Sequence, residues 1–142
     1  MLKGISRLVS PELIKTLMEM GHTDEVVFGD SNFPAASHSQ RLIRADGHGI
    51  AELLDAVLPL FPLDYAEDYT AVLMDYRIRL KDEPPVWEKY REALAKWPDG
   101  SKRFEILPKP EFYARAAGAF AVVATGETAG FANIILRKGV VR

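Results

Sequence analysis

Apolar positions recur along the chain at two spacings, which predict helices alternating with short buried strands. Apolar residues three and four apart indicate amphipathic helices, whereas short continuous apolar runs indicate strands covered on both faces. The predicted helices cover 11–20, 50–60, 86–97 and 110–118. The predicted strands cover 25–29, 41–45, 70–74, 104–107, 120–124 and 132–136.

This alternation of helices and strands is typical of an α/β fold with helices on both faces of the sheet. We therefore expect a three-layer α/β/α domain whose mixed sheet has about six strands and whose outer layers contain about four helices. No repeat, low-complexity tract or linker composition interrupts the pattern. Residues 1–142 are thus expected to form a single domain.

The first helix has the most explicit boundaries in the sequence. Ser10 can cap its N-terminus, Pro11 suits the first helical position, and Glu12 places a negative charge in the first turn. Gly21 is expected to end the helix as its C-terminal cap.

Composition narrows the classes of function. The chain has 142 residues, of which 48% are hydrophobic and 27% are charged, as in an ordinary globular protein. Its formal net charge of -2 gives no electrostatic reason to expect nucleic acid or an anionic membrane as a partner. The absence of cysteine excludes thiol catalysis and is typical of a reducing cytosol. Because the sequence shows neither a signal-peptide core nor an apolar run that could span a membrane, we expect a cytoplasmic protein.

Ionisable side chains cluster around the predicted strand 25–29. His22 and Asp24 precede this strand, and Asp30 follows it. Imidazole exchanges protons near neutral pH, and ligand groups in α/β sheets usually follow buried strands. Both residues also have simple structural interpretations, because His22 could cap the carbonyl groups of the first helix and Asp30 could cap a turn.

The other polar segments add no chemistry of their own. His38 lies in a polar loop and His48 in a glycine-flanked turn, so both are expected to be solvated. The spacing of the three histidines matches no zinc signature. No phosphate-binding or dinucleotide-binding glycine motif occurs, and we expect neither a metal nor a cofactor.

Several motifs, in one order, resemble a known family. Gly21-His22, followed by Asp24, Asp30 and Pro34, is similar to the sugar mutarotase family of ribose pyranases and fucose mutarotases. Further matching motifs are Ile43-Arg44-Ala45-Asp46-Gly47, Leu58-Pro59-Leu60-Phe61-Pro62-Leu63-Asp64, Phe112-Tyr113-Ala114-Arg115-Ala116, Thr125-Gly126-Glu127, Ala132-Asn133-Ile134-Ile135-Leu136 and Lys138-Gly139-Val140. The first two of these further motifs resemble the fucose branch rather than the ribose branch.

The resemblance implies an isomerase that interconverts the α and β anomers of a reducing monosaccharide, most closely L-fucose, without metal or cofactor. It implies that His22 is the proton donor. The substrate-binding positions that it implies are Asp30, Lys109, Phe131, Ala132 and Asn133. It also implies a homo-oligomer, because members of the family form rings that are often decamers.

Two departures from the family pattern leave the preferred sugar open. Phe131 stands where the family usually has tyrosine, and Lys109 stands where the fucose branch often has arginine. Two alternatives therefore remain. One is a ribose-type conversion between pyranose and furanose forms, and the other is a non-catalytic sugar-binding protein of the same fold.

The spacing of His22 and Asp30 limits how the two residues can act on one sugar. His22 and Asp30 are eight residues apart, and an extended segment of that length spans up to ~26 Å. One sugar ring is too small to contact both side chains at such a separation. Either the segment is strongly bent, so that both side chains reach one sugar ring, or His22 of one chain faces Asp30 of a neighbour. Because the resemblance implies rings with sugar sites near subunit contacts, we expect the second arrangement, in an obligate homo-oligomer.

Overall fold

The computed structural model describes residues 1–142, with four helices and six strands. The helices are α1 (Pro11–Glu19), α2 (Ile50–Val57), α3 (Val86–Leu94) and α4 (Lys109–Ala117). The strands are β1 (Glu25–Gly29), β2 (Leu42–Ala45), β3 (Tyr69–Met74), β4 (Arg103–Leu107), β5 (Ala121–Thr125) and β6 (Ile134–Arg137).

All six strands form one mixed sheet in the order β2-β5-β1-β6-β3-β4. The pairs β1 with β5, β2 with β5 and β3 with β4 are parallel. Strand β6 lies between β1 and β3 and runs antiparallel to both. As a consequence, the carboxyl ends of β1 to β5 and the amino end of β6 meet at the same edge, which we call the carboxyl edge.

Helices cover both faces of this sheet, which confirms the expected α/β/α layers. Successive residues of a strand point to opposite faces, and Phe28 packs with the helices α1, α2 and α3 while Val27 packs with α4. The first face buries 25 residues in its cluster and the second buries 11, so the α1–α3 layer contributes most of the hydrophobic stabilisation.

Two predicted helices end three residues earlier than expected. Helix α2 ends at Val57 rather than at residue 60, and α3 ends at Leu94 rather than at residue 97. In both cases the chain tightens after the helix. The N–H of Leu60 donates to Val57 O at 2.9 Å, and the N–H of Trp97 donates to Leu94 O at 3.0 Å. Such bonds three residues apart close a helix with a narrower turn.

The end of α1 differs from the prediction for Gly21. Met20 is the C-terminal cap, in an extended conformation, and the residue with positive φ is Thr23, at 76°. The ammonium group of Lys138 donates to Leu17 O at 2.7 Å and to Met20 O at 2.6 Å. Lys138, which follows β6, therefore caps the last carbonyl groups of α1. The sequence had suggested that Gly21 or His22 would do so.

Strand β6 begins at Ile134, two residues later than predicted. The residues before it form a turn in which Phe131 has a φ of 54°. No helix is long and apolar enough to cross a membrane.

Candidate functional site

The first half of the candidate site lies at the carboxyl edge, where β1 ends and β6 begins. Asp30 follows β1, and Asn133 precedes β6. The backbone N–H of Asp30 donates to Asn133 Oδ1 at 2.7 Å. The antiparallel arrangement of β1 and β6 thus joins two predicted binding residues that are 103 positions apart in the sequence.

The carboxyl group of Asp30 is half-buried. Its loss of solvation raises its pKa, and the negative charge of Glu127 acts in the same direction. The backbone N–H groups of Asn32, Phe33 and Ala132 oppose this rise because they favour the charged form; the N–H of Asn32 donates to Asp30 Oδ1 at 2.9 Å. These N–H groups fix the orientation of the Asp30 side chain. Its carboxyl oxygens can accept hydrogen bonds from the hydroxyl groups of a ligand.

A cavity of about 300 Å³ opens beside Asp30. Its polar wall includes Ser31, Ser37 and Thr125 together with the ion pair between Arg44 and Asp46. This volume is at the lower end of the range for small-molecule sites, as suits a ligand of monosaccharide size.

Aromatic rings form the apolar side of the same region. The ring of Tyr113 lies 5.3 Å from that of Phe33 and 5.3 Å from that of His38, with edge-to-face geometry in both pairs. Lys109 places its ammonium group 5.3 Å from the centre of the Tyr113 ring, and Phe131 packs against the same buried cluster. Burial and the charge of Asp30 both raise the pKa of Tyr113. The structure therefore brings Lys109 and Phe131 to the region of Asp30.

The turn before β6 completes this half of the site. Trp87 Nε1 donates to Phe131 O at 2.8 Å, and the Tyr90 hydroxyl donates to Ala132 O at 2.8 Å. These bonds explain why β6 starts late: the carbonyl groups of residues 131 and 132 bind α3 instead of a neighbouring strand.

His22 lies at the opposite edge of the sheet, before β1 begins. Its Nε2 is 3.2 Å from Asp64 Oδ1, and its ring is stacked on Tyr65 with 5.9 Å between the ring centres. The Asp64 side chain is only 3% exposed, whereas that of His22 is 38% exposed. The imidazole is thus held from inside the protein and open to solvent on its outer side.

The charge of Asp64 is supported by several donors. Burial alone would raise its pKa, but the N–H of Ala66, the His22 ring and the Arg137 guanidinium outweigh this, so the pKa lies below its ordinary value. Arg137 Nε donates to Asp64 Oδ2 at 2.8 Å, and the N–H of Ala66 donates to Oδ1 at 3.2 Å. An ionised carboxylate only accepts hydrogen bonds, so Nε2 of His22 carries the proton of this pair. Nδ1 is then the ring nitrogen that remains available for proton exchange.

The contacts of the three histidines differ from those expected from the sequence. His22 does not cap α1, because Lys138 occupies those carbonyl groups. His38 is not simply solvated, since it packs against Phe33 and Tyr113. His48 Nδ1 lies 3.4 Å from a carboxylate oxygen of Glu52 one helical turn away.

His22 and Asp30 are separated by the whole length of β1. The strand has five residues, which extend over about 16 Å. His22 does not line the cavity beside Asp30. Within a single chain, the predicted proton donor His22 and the predicted binding residue Asp30 therefore lie at opposite edges of the sheet.

Three residues of these half-sites were missed from the sequence. Asp64 contacts His22 from 42 positions away; it closed a matching motif after the apolar run that ends at Leu63, but the motif gave it no role. Tyr113 belonged to a matching motif but had no assigned role, and His38 carried no distinguishing pattern.

Comparison with known proteins identifies the family to which this chain is similar. Residues 3–141 match the model of the RbsD / FucU transport protein family. The chain is 48% identical to the human fucose mutarotase over 98% of its length and 94% of that protein.

Solved structures agree with this match. A fucose mutarotase from Streptococcus pneumoniae, in complex with L-fucose, is 47% identical, with a TM-score of 0.94 over 99% of this chain and 100% of that one. RbsD from Bacillus subtilis, complexed with D-ribose, covers 100% of both chains with a TM-score of 0.76 but only 20% identity, and so shares the fold alone. The chain therefore belongs to the RbsD/FucU family, as its sequence motifs predicted.

Proposed function

We propose that this protein is an isomerase that interconverts the α and β anomers of L-fucose. The observation that carries the proposal is its 47% identity, over nearly the full length of both chains, to a fucose mutarotase whose structure contains L-fucose. The two half-sites support it, because they supply an exchangeable proton at His22 and a carboxylate beside a small polar cavity at Asp30. A cytoplasmic location is part of this proposal.

The chemistry needs one acid and one base at opposite sides of the anomeric carbon. A proton is delivered to the ring oxygen while the anomeric hydroxyl loses its proton, so the bond from C1 to the ring oxygen breaks and C1 becomes an aldehyde. Rotation about the C1–C2 bond and the reverse proton transfers close the ring with the other configuration. Such proton transfers contribute about 10²–10⁴-fold to a rate, which is a sufficient gain for a reaction that already proceeds in water.

We assign the proton donor to His22. In the protonated ring, Nε2–H remains bound to Asp64, and Nδ1–H is the proton given to the sugar. The buried Asp64 fixes the ring orientation and stabilises the charged imidazole as the proton returns. Asp30 accepts hydrogen bonds from sugar hydroxyl groups, together with Asn133 and the polar groups of its cavity.

We further propose that the complete site forms between neighbouring chains of a homo-oligomer. Within one chain, His22 and Asp30 lie at opposite edges of the sheet, about 16 Å apart along β1. A head-to-tail contact would place His22 of the partner subunit against the cavity beside Asp30. Contacts of this kind generate closed rings when the rotation between subunits permits closure.

Phe131 leaves two alternatives to this proposal. Phe131 lacks the hydroxyl group that the family usually provides, and this favours either a different sugar or binding without catalysis. D-Ribose is the less favoured sugar, because the ribose-bound RbsD shares only 20% identity with this chain.

Saturation-transfer NMR tests the proposed reaction directly. One anomeric proton of L-fucose is saturated, and transfer to the other anomer is measured with and without protein; D-ribose and D-glucose serve as comparison sugars. We expect protein-dependent transfer for L-fucose that exceeds the transfer for both other sugars, and its loss in His22→Ala. Binding of L-fucose without any exchange would instead support the non-catalytic alternative, and preferred exchange of D-ribose would support the ribose-type reaction.

A further inference from the structure

The turn that carries Ala132 and Asn133 has an unfavourable backbone conformation. Phe131 has a φ of 54°, in the left-handed region that large side chains seldom adopt. Residues in such conformations persist only where surrounding contacts hold them. The contacts that stabilise Phe131 in this conformation therefore indicate the role of the turn.

Helix α3 supplies these contacts with two side chains on one of its faces. Trp87 and Tyr90 are three positions apart, so they lie next to each other on the helix, and both are fully buried. Trp87 Nε1 donates to Phe131 O, and the Tyr90 hydroxyl donates to Ala132 O, each at 2.8 Å. Burial raises the pKa of Tyr90 further above its ordinary value, so the hydroxyl remains protonated and able to donate.

The opposite side of the same turn faces Asp30. The backbone N–H of Ala132 favours the charged form of the Asp30 carboxyl group and so acts to lower its pKa, and Asn133 Oδ1 accepts the backbone N–H of Asp30 at 2.7 Å. A peptide group whose carbonyl oxygen accepts a hydrogen bond becomes a stronger donor through its N–H, because the two bonds polarise each other. The bond from Trp87 therefore strengthens the interaction of the same peptide group with Asp30.

We propose that Trp87 and Tyr90 are positioning residues for the sugar site. They hold the 131–133 turn in its strained conformation, so that Asn133 holds the backbone of Asp30 and Ala132 favours its charged carboxylate where the sugar binds. This inference rests on the proposed function in one respect, since it takes Asp30 as a sugar-binding residue. Neither α3 residue contacts the sugar in this account, and both act through Asp30 and Asn133.

The alternative is that these two side chains only fill the core. The substitution Tyr90→Phe separates the two roles, because it keeps the buried ring and removes only the hydroxyl. Tyr76→Phe is the matched control. Tyr76 also packs on Trp87, with 5.1 Å between the ring centres, but its hydroxyl makes no hydrogen bond within the chain.

Two measurements on the full-length protein test the proposal. The first is the KM and kcat for L-fucose anomer exchange by saturation-transfer NMR. For Tyr90→Phe we expect KM to rise about five-fold, as for the loss of one hydrogen bond, with a smaller change in kcat and no change of either constant in Tyr76→Phe. The second is amide hydrogen exchange at Asp30 without sugar, relative to the core amide of Val122. Here we expect Tyr90→Phe to accelerate Asp30 about ten-fold more than Val122.

The results of these two measurements distinguish an error in the proposed function from an error in the positioning role. If the parent protein exchanges no L-fucose, the proposed function is wrong, but amide exchange at Asp30 still decides whether Tyr90 holds the turn. If Tyr90→Phe keeps the parent KM and the parent protection at Asp30, the positioning role is wrong while the proposed function stands. Equal acceleration at Asp30 and Val122 would also overturn the positioning role, because a purely structural residue lowers the stability of the whole core.

Discussion

The contact between His22 and Asp64 leads to a quantitative prediction for Asp64→Asn. This substitution keeps the size of the buried side chain and removes its charge. In the parent, Asp64 accepts from His22 Nε2 at 3.2 Å and from Arg137 Nε at 2.8 Å while almost fully buried. A neutral amide cannot balance the positive charge of an imidazolium, and its NH₂ group can compete as a donor for the ring nitrogen.

The size of the effect follows from the type of bond that is lost. Hydrogen bonds to charged groups contribute ~1.5–3 kcal/mol, and each ~1.4 kcal/mol corresponds to a ten-fold change in rate. We therefore expect kcat for anomer exchange to fall about 10- to 100-fold in Asp64→Asn. KM should change less, because the carboxylate contacts the proposed proton donor, His22, rather than the proposed sugar-binding residues.

The assay is saturation-transfer NMR with L-fucose, at a temperature well below the unfolding transition of the variant. Glu67→Gln is the matched control, because Glu67 also faces Arg137, at 3.8 Å, but does not contact His22. This partly exposed pair has a long separation of 3.8 Å and contributes little, so the control should keep the parent kcat. A kcat for Asp64→Asn equal to that of the control would refute the reasoning, since His22 would then need no buried carboxylate.

Two further predictions concern affinity and pH. Phe131→Tyr restores the hydroxyl that the family usually has and should strengthen L-fucose binding about five-fold in a titration followed by NMR; unchanged or weaker binding would mean that the site has other contacts in its place. Because the pKa of Asp64 is lowered in the folded protein, its contribution to stability is present above its unfolded pKa of about 3.9 and is lost as pH falls through the folded value. The free energy of unfolding of the parent should accordingly fall more steeply below about pH 4 than that of Asp64→Asn, and parallel curves from chemical denaturation would contradict this.

The fold could be predicted from the sequence because its signals are local. Ser10 and Pro11 start α1 as expected, and the side chain of Ser10 accepts the N–H of Leu13 at 3.1 Å. The number and order of the elements follow from apolar runs and breaks. The position of β6 between β1 and β3 could not be read in this way, because strand order depends on which buried faces fit together.

The contacts between site residues could not be predicted from local sequence patterns for the same reason. Asn133 meets Asp30, and Asp64 meets His22, only through the order of the strands in the sheet. The strained turn at Phe131 was also unforeseen, since phenylalanine seldom has a positive φ and the contacts that hold it come from α3. Family motifs supplied the proposed binding residues but not the contacts that orient them.

We propose that His22 and Asp30 act together across two chains, and mixing two inactive variants tests this shared site most directly. His22→Ala and Asp30→Asn are each expected to lose L-fucose exchange. Co-expressed in equal amounts, they should form rings in which a site is complete only where an intact His22 meets an intact Asp30 of its neighbour. Random assembly makes about one quarter of such sites complete, so the mixture should recover about one quarter of the parent activity in saturation-transfer NMR. Mixed oligomers that show no more exchange than the separate variants would contradict the shared site.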